Sequence, residues 1–400
     1  MTRDTNRILT ERLLDLTAIS RQGPALEDND AIVTHIEVNH HHGVGVLVHR
    51  LFGSSPDIFS IRSRNYYDGR QEFGVKHVCI PHGETSRDHV FRKVLQSLDG
   101  ATVRRVLCIP YFPDDALNAI ALKEIFGVPL CTYLMDDQNV RIEGIPDAVM
   151  SELLAKASLR LAISPELCQG YQQKFGHKMW FLPPLVPSRL IPAEICPLAE
   201  PRSKEGVIVG NIWGRRWVDL VRETVRGSGI TLRWYNNGEF RWLPCTLPEM
   251  ARDGVIPQDG PRVSDERLVD ILRRTPFAVV PSGILDDTDD RRSIGELSLP
   301  SRIPFIFATS HTPILVLGSP ETAAARFVTK AGIGMVAPYE RRAFQRAVEQ
   351  MTDARANLEM RRAAFRLSTC FADDGAADWI WNSLARGGPA DSRYQELLTA

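Results

Sequence analysis

The chain has 400 residues, and its 48 Lys+Arg against 49 Asp+Glu leave a formal charge of −1, so no net field draws it to nucleic acid. With 44% hydrophobic and 24% charged residues it has the balance of an ordinary globular protein of two or three domains, which excludes disorder as its main state. No apolar run reaches the roughly 20 residues that span a bilayer, and Met1 to Ser20 is charged throughout, unlike a secretory signal, so the expected location is the cytoplasm, with peripheral membrane contact left open.

From Ala31 onward short apolar runs alternate with amphipathic stretches, the pattern of an α/β protein with parallel sheets. Strands are expected at Ile32–Val38, Ile58–Arg62, Val75–Ile80, Val103–Ile109, Pro129–Met135 and Leu159–Ile163, each ending at a polar, Gly or Pro break. Helices are expected at Val44–Phe52, His89–Leu98, Asp115–Phe126 and Pro165–Phe175. The last has Ser164 as N-cap, Pro165 in the first turn and Gly176 as its C-terminal stop.

Six prolines between Leu182 and Glu205 exclude a regular element there, so residues 186–205 read as a linker between domains at 1–185 and 206–400. The second series runs Gly206–Val209, helix Arg215–Arg226, strand Thr231–Tyr235, helix Asp265–Arg274 and strand Phe277–Val280. It continues with helix Arg302–Ala308, strand Ile314–Leu317, a helix opening at Ser319-Pro320-Glu321, helices Ala343–Met351 and Ala354–Thr369, and an amphipathic tail, Asp378–Ala385. Seven cysteines lie far apart without a C-x-x-C, so neither a disulfide framework nor a zinc ribbon fits.

Ligands of open parallel sheets bind beyond the carboxyl ends of strands, so residues that follow strands are the candidates for chemistry. After Ile32–Val38 come Asn39, His40, His41, His42, Gly43, Val44 and Gly45: glycines for close backbone approach and histidines able to move protons. Val48 stands where a dinucleotide fingerprint needs its third glycine, and at most His40 and His42 could share a metal, so a substrate-facing loop competes with plain surface polarity. Asp136 and Asp137 follow another strand and could accept a proton from a hydroxyl, or cap a turn. Asp114 reads as a helix N-cap.

In the second half Gly210 ends a strand, and Arg215-Arg216 open a helix where cations oppose the helix dipole. An anion or solvent is needed there to offset the cost, and phosphate is the natural counter-charge. Ser282, Ser301 and Arg302 occupy two further strand-end loops, Ser301 alternatively as an N-cap. Residues 286–292 (DDTDDRR) lack the Gly and terminal Glu of a calcium loop and read as a solvated loop.

From Gly206 to about Pro338 the sequence resembles nucleotide-sugar glycosyltransferases of the GT-B fold, especially the large retaining bacterial polysaccharide group. The resemblance is carried by Val209-Gly210-Asn211-Ile212-Trp213-Gly214-Arg215-Arg216, by Val280-Pro281-Ser282, by Leu299-Pro300-Ser301-Arg302-Ile303, by Thr312-Pro313-Ile314 and by Gly332-Ile333-Gly334. In the first half, Ile163-Ser164-Pro165-Glu166 through Gly176 is similar to the same family. Relatives carry two glutamates about the Leu-Pro step; here Gly295 and Ile303 occupy those places, and Glu296 and Glu321 are the nearest carboxylates.

The resemblance implies two facing Rossmann-like domains with parallel sheets and a cleft between them. It implies transfer of a sugar from a nucleotide-diphosphate donor to a hydroxyl acceptor such as a glycan, lipid-linked glycan or protein, with no metal and no cofactor beyond the donor. Gly210, Arg216, Ser282, Ser301, Arg302, Glu296 and Glu321 would bind donor. Asp137 or His42 would orient or deprotonate the acceptor, with His41, Gly43 and Asp136 on the acceptor side. A nucleotide-sugar epimerase of the same architecture is one alternative, and a degenerate, non-catalytic sugar-binding or partner subunit is the other.

Overall fold

The computed structural model describes residues 29–39, 43–53, 55, 57–67, 69, 73–83, 86–198, 204–236, 242–258 and 262–398. In the first domain seven parallel strands form one sheet: β1 (Asn29–Thr34), β2 (Ile58–Arg62), β3 (Lys76–Cys79), β4 (Val103–Cys108), β5 (Leu130–Leu134), β6 (Leu159–Ala162) and β7 (Trp180–Phe181). Their order is β3-β2-β1-β4-β5-β6-β7, so the winding reverses between β1 and β4. Helices α1 (Gly43–Phe52), α2 (Arg87–Leu98), α3 (Pro113–Phe126), α4 (Asp147–Lys156) and α5 (Pro165–Phe175) connect them. Every residue of β2 and β5 is buried, as parallel strands covered on both faces require.

The second domain repeats the plan with six parallel strands: β8 (Glu205–Val209), β9 (Thr231–Tyr235), β10 (Val255–Pro257), β11 (Ala278–Pro281), β12 (Ile314–Leu317) and β13 (Gly334–Ala337). The order β10-β9-β8-β11-β12-β13 reverses between β8 and β11. Its helices are α6 (Arg215–Val225), α7 (Leu247–Arg252), α8 (Asp265–Arg274), α9 (Arg292–Leu297), α10 (Arg302–Ser310), α11 (Ala323–Ala331), α12 (Arg341–Met351) and α13 (Ala354–Ser368). The sheet divides its core in two, one cluster about Val280 and Ile306, the other about Trp234 and Val279.

Local signals set most boundaries. Ser164 caps α5 by accepting from the Leu167 amide at 3.1 Å, and Gly176 stops it at φ 74°. At α3 the cap differs from expectation: the helix begins at Pro113, and Asp115 accepts from the amides of Tyr111 and Phe112, both at 2.9 Å. Asp114 instead pairs with Arg64 at 2.5 Å.

The last helix, α14 (Ala376–Arg386), departs from the expected 206–400 unit. Trp379, Ile380, Trp381 and Leu384 join the core of the first domain, with Trp381 5.2 Å from Phe52 and the Arg105 guanidinium 4.3 Å above its ring. The outgoing and returning chains run side by side, Val186 donating to Phe371 O at 2.9 Å and Asp373 donating to Val186 O at 3.0 Å. An apolar stripe read from sequence demands a cover, but does not say which sheet provides it.

Candidate active site in the interdomain cleft

Where the second sheet reverses, its carboxyl edge faces α1 of the first domain across a cavity of about 230 Å³. Gly210 and Asn211 leave β8, Tyr235 and Asn236 leave β9, Asp265 opens α8, and Ser301 and Arg302 open α10; Gly43, Leu47 and Arg50 close it from α1. Gly210 has φ 75°, donates its amide to Tyr235 O at 2.7 Å and accepts from the Trp234 indole at 2.7 Å. That left-handed turn suits glycine, and a Cβ there would come within 3.8 Å of the Arg302 guanidinium.

Arg302 is the distinctive group. Its Nη1 is buried with no hydrogen-bond partner, and it forms no ion pair among the described residues. Burial alone pulls its pKa down to about 10, so it stays cationic at neutral pH without a counter-charge. A buried, unpaired cation is costly, and an arriving anion relieves that cost. Ser301 makes no capping bond, which leaves its hydroxyl at the cavity rather than in the helix start.

Two more guanidiniums line the same space. Arg50 crosses from the first domain to Asp265 at 3.3 Å and lies 5.4 Å above the Phe305 ring, while Arg262 meets the same carboxylate at 3.1 Å. Among the described residues, three arginines against one lining carboxylate leave an excess of two positive charges. Trp213 stands at the rim, 42% exposed.

The structure brings together Gly43, Gly210, Ser301 and Arg302 from the expected set. Arg216 does not line the cavity: it sits near Asp286, whose pKa it helps hold down behind the Thr288 hydrogen bonds. The anion that the start of α6 calls for is supplied by the protein, because Asp290 accepts from the Arg215 amide at 2.9 Å. The loop at 286–292 is largely exposed, as expected, and hydrogen bonds also hold it in place. Asp289 accepts from the amides of Ile284, Leu285 and Arg291 and from the Trp217 indole, at 2.9–3.0 Å.

Other expected donor contacts also lie elsewhere. Ser282 is 3% exposed, and its carbonyl accepts from the Tyr339 hydroxyl at 2.8 Å. Glu296 grips Arg141 of the first domain, Nε donating to Oε2 at 3.0 Å, and Glu321 is exposed beyond the cavity. Asp137 is 1% exposed and accepts from the amides of Asn139, Val140 and Arg141 at 3.0, 2.7 and 2.8 Å, so it staples a turn and both of its oxygens are engaged by backbone. Asp136 accepts from the Tyr111 hydroxyl at 2.6 Å; burial raises its pKa and that bond opposes the rise. His41 and His42 lie outside the described residues.

Sequence reasoning missed Arg50, Arg262, Asp265 and Trp213. Arg50 ends a helix where a basic residue needs no explanation, and Asp265 follows a Ser in an ordinary N-terminal turn. Among the described residues no group of three His, Cys, Asp or Glu is placed to hold a metal, and no helix is long and apolar enough to cross a membrane.

No family model and no curated protein matches the chain. Solved structures do resemble it. HepE of Anabaena, crystallised with UDP and glucose, superposes with a TM-score of 0.64 at 12% identity, over 90% of this chain and 100% of that one. WaaG, a glycosyltransferase involved in lipopolysaccharide biosynthesis, gives 0.58 at 11% identity over 89% and 99%, and MurG of Acinetobacter baumannii 0.52 at 12% over 90% and 100%. At such identities the likeness speaks for architecture, and it identifies that architecture: the chain has the GT-B fold, two facing Rossmann-like domains with parallel sheets and a cleft between them.

Proposed function

We propose that the cleft binds the diphosphate of a nucleotide-sugar donor and that the protein transfers the sugar to a hydroxyl acceptor. The observation that carries this is the buried, unpartnered Arg302 guanidinium at the sheet's reversal, beside the left-handed Gly210 and the start of α10. As the bond from sugar to phosphate breaks, the leaving diphosphate gains negative charge. A guanidinium already stripped of water stabilises that charge more than it stabilises the intact donor. No metal is needed in this scheme, since arginines neutralise the leaving group. UDP in the HepE structure supports a nucleoside diphosphate as the ligand class.

Epimerisation would need a proton-moving group in the cavity. Among the described residues the one carboxylate that lines it, Asp265, is already shared by two arginines.

The test is calorimetric titration of UDP, GDP, ADP and dTDP, followed by donor-turnover assays with the sugar nucleotides of whichever binds. Arg302→Ala is expected to weaken the tightest diphosphate by roughly 100-fold, the loss of a charge-assisted contact to a buried anion. Unchanged affinity in that variant overturns the assignment. Binding without hydrolysis or transfer across an acceptor panel would favour a non-catalytic subunit instead.

A further inference from the structure

Arg50 is held in an unusual way. It projects from the first domain into the cavity of the second, with its side chain 10% exposed. Its Nη2 lies 3.3 Å from Asp265 Oδ2, and its Nη1 3.3 Å from Leu185 O. Charge-assisted hydrogen bonds are about 2.7–2.9 Å long, so both contacts are slack. Elsewhere in the same domain Arg105 grips Asp30 through two nitrogens at 2.7 Å. Burial lowers the pKa of Arg50 despite the Asp265 charge, so the carboxylate does not fully compensate for lost hydration. Asp265 also serves Arg262 at 3.1 Å, one negative charge divided between two cations.

We infer that Arg50 is a second anion-binding guanidinium of this cavity, held by Asp265 until a ligand with two adjacent anionic groups bridges it to Arg302. This rests on the cavity being a diphosphate site. One cation comes from each domain: Arg302 from α10, and Arg50 from the last turn of α1. A diphosphate spans them and a monophosphate satisfies one, so Arg50 sets discrimination between the two and ties ligand binding to the approach of the domains. When the ligand takes Arg50, Asp265 is left to Arg262.

The experiment measures affinities for UDP, GDP, ADP and dTDP, each beside its own monophosphate, by calorimetry. The tightest pair is then carried into Arg50→Ala, Arg50→Lys, Asp265→Asn and Arg302→Ala. Arg50→Ala is expected to weaken the diphosphate roughly 10- to 100-fold and the monophosphate by less than about threefold, collapsing their ratio. Arg50→Lys restores part of the ratio because charge is kept while the fork geometry is lost. Asp265→Asn leaves the diphosphate as tight as in the parent protein or tighter, since it releases Arg50.

If Arg50 is only a structural latch, Arg50→Ala and Asp265→Asn lower the melting temperature together and shift both ligands by the same factor, and the inference falls. If Arg302→Ala loses the diphosphate while Arg50→Ala keeps the parent ratio, the cavity assignment stands and only the role of Arg50 is wrong. Failure of the parent protein to bind any of the diphosphates overturns both.

Discussion

The two sheets reverse their winding in the same way, yet the edges at those reversals treat their charges differently. On the first domain's edge, carboxylates are consumed by the protein's own backbone. Glu37, fully buried, accepts from the amides of Tyr66, Tyr67 and Gly69 at 3.0, 3.1 and 2.8 Å. Burial alone would raise its pKa, but those donors bring it below the ordinary carboxylate value. Asp137 is likewise spent on amides through both oxygens, and Asp115 through Oδ2. On the second domain's edge, Arg302 is buried with Nη1 unpaired. Native proteins satisfy nearly all buried polar groups, and Arg302 differs from the other unpaired guanidinium nitrogen at a sheet edge, Nη1 of Arg62, whose Nε still donates to Asn65 at 2.7 Å. Both edges spend carboxylates on loop amides, as Asp289 and Asp290 do in the second domain, but only the second lines the cavity with an unpaired guanidinium among the described residues.

That contrast is open to direct attack. The largest effect is expected at Asp137: Asp137→Ala should cost about 3 kcal/mol of stability in urea unfolding, because three amides lose a charged acceptor, while diphosphate affinity stays within about twofold. A variant that folds as stably as the parent but has lost turnover would return Asp137 to the chemistry and break the comparison.

A smaller effect concerns pH. Burial pushes the Asp115 pKa from 3.8 up to about 6, so the folded state holds its proton more tightly than the unfolded chain does. Its contribution is fully present below pH 3.8 and is lost as pH rises toward 6, by at most about 3 kcal/mol. Asp115→Asn should therefore flatten unfolding midpoints measured across that window; an unaltered pH dependence would show that Asp115 titrates normally.

The smallest effect sharpens the assignment of the cation. Arg216→Ala should leave diphosphate affinity within about twofold, since its helix start already has Asp290 as anion. A loss comparable to that at Arg302 would move the phosphate site to α6.

Much of the fold was legible in the chain. Alternation of buried strands and amphipathic helices, the Ser164–Gly176 helix and the proline-rich crossing each express a local preference that survives packing. Short elements such as β7 and β10 were not legible, having too few residues to show a period. At the site, Gly210, Ser301 and Arg302 stood out because a glycine turn and a polar helix start beyond strand ends lie where open parallel sheets bind ligands. Arg216 stood out for the same reason and was misplaced: sequence shows that a helix N-terminus wants an anion, but not that a loop some 75 residues later supplies it.

The sequence by itself determined the α/β class, the two-sheet plan and the need for counter-charge in the C-terminal half, because these follow from hydrophobic period, proline and glycine placement and the helix dipole, all local along the chain. Only the tertiary structure decided which charges are already paired, that α14 returns to the first domain, and that Arg50 and Arg302 face one cavity. Pairing and burial are settled by residues far apart in sequence, and the free energy of a charge depends on those neighbours more than on its own identity.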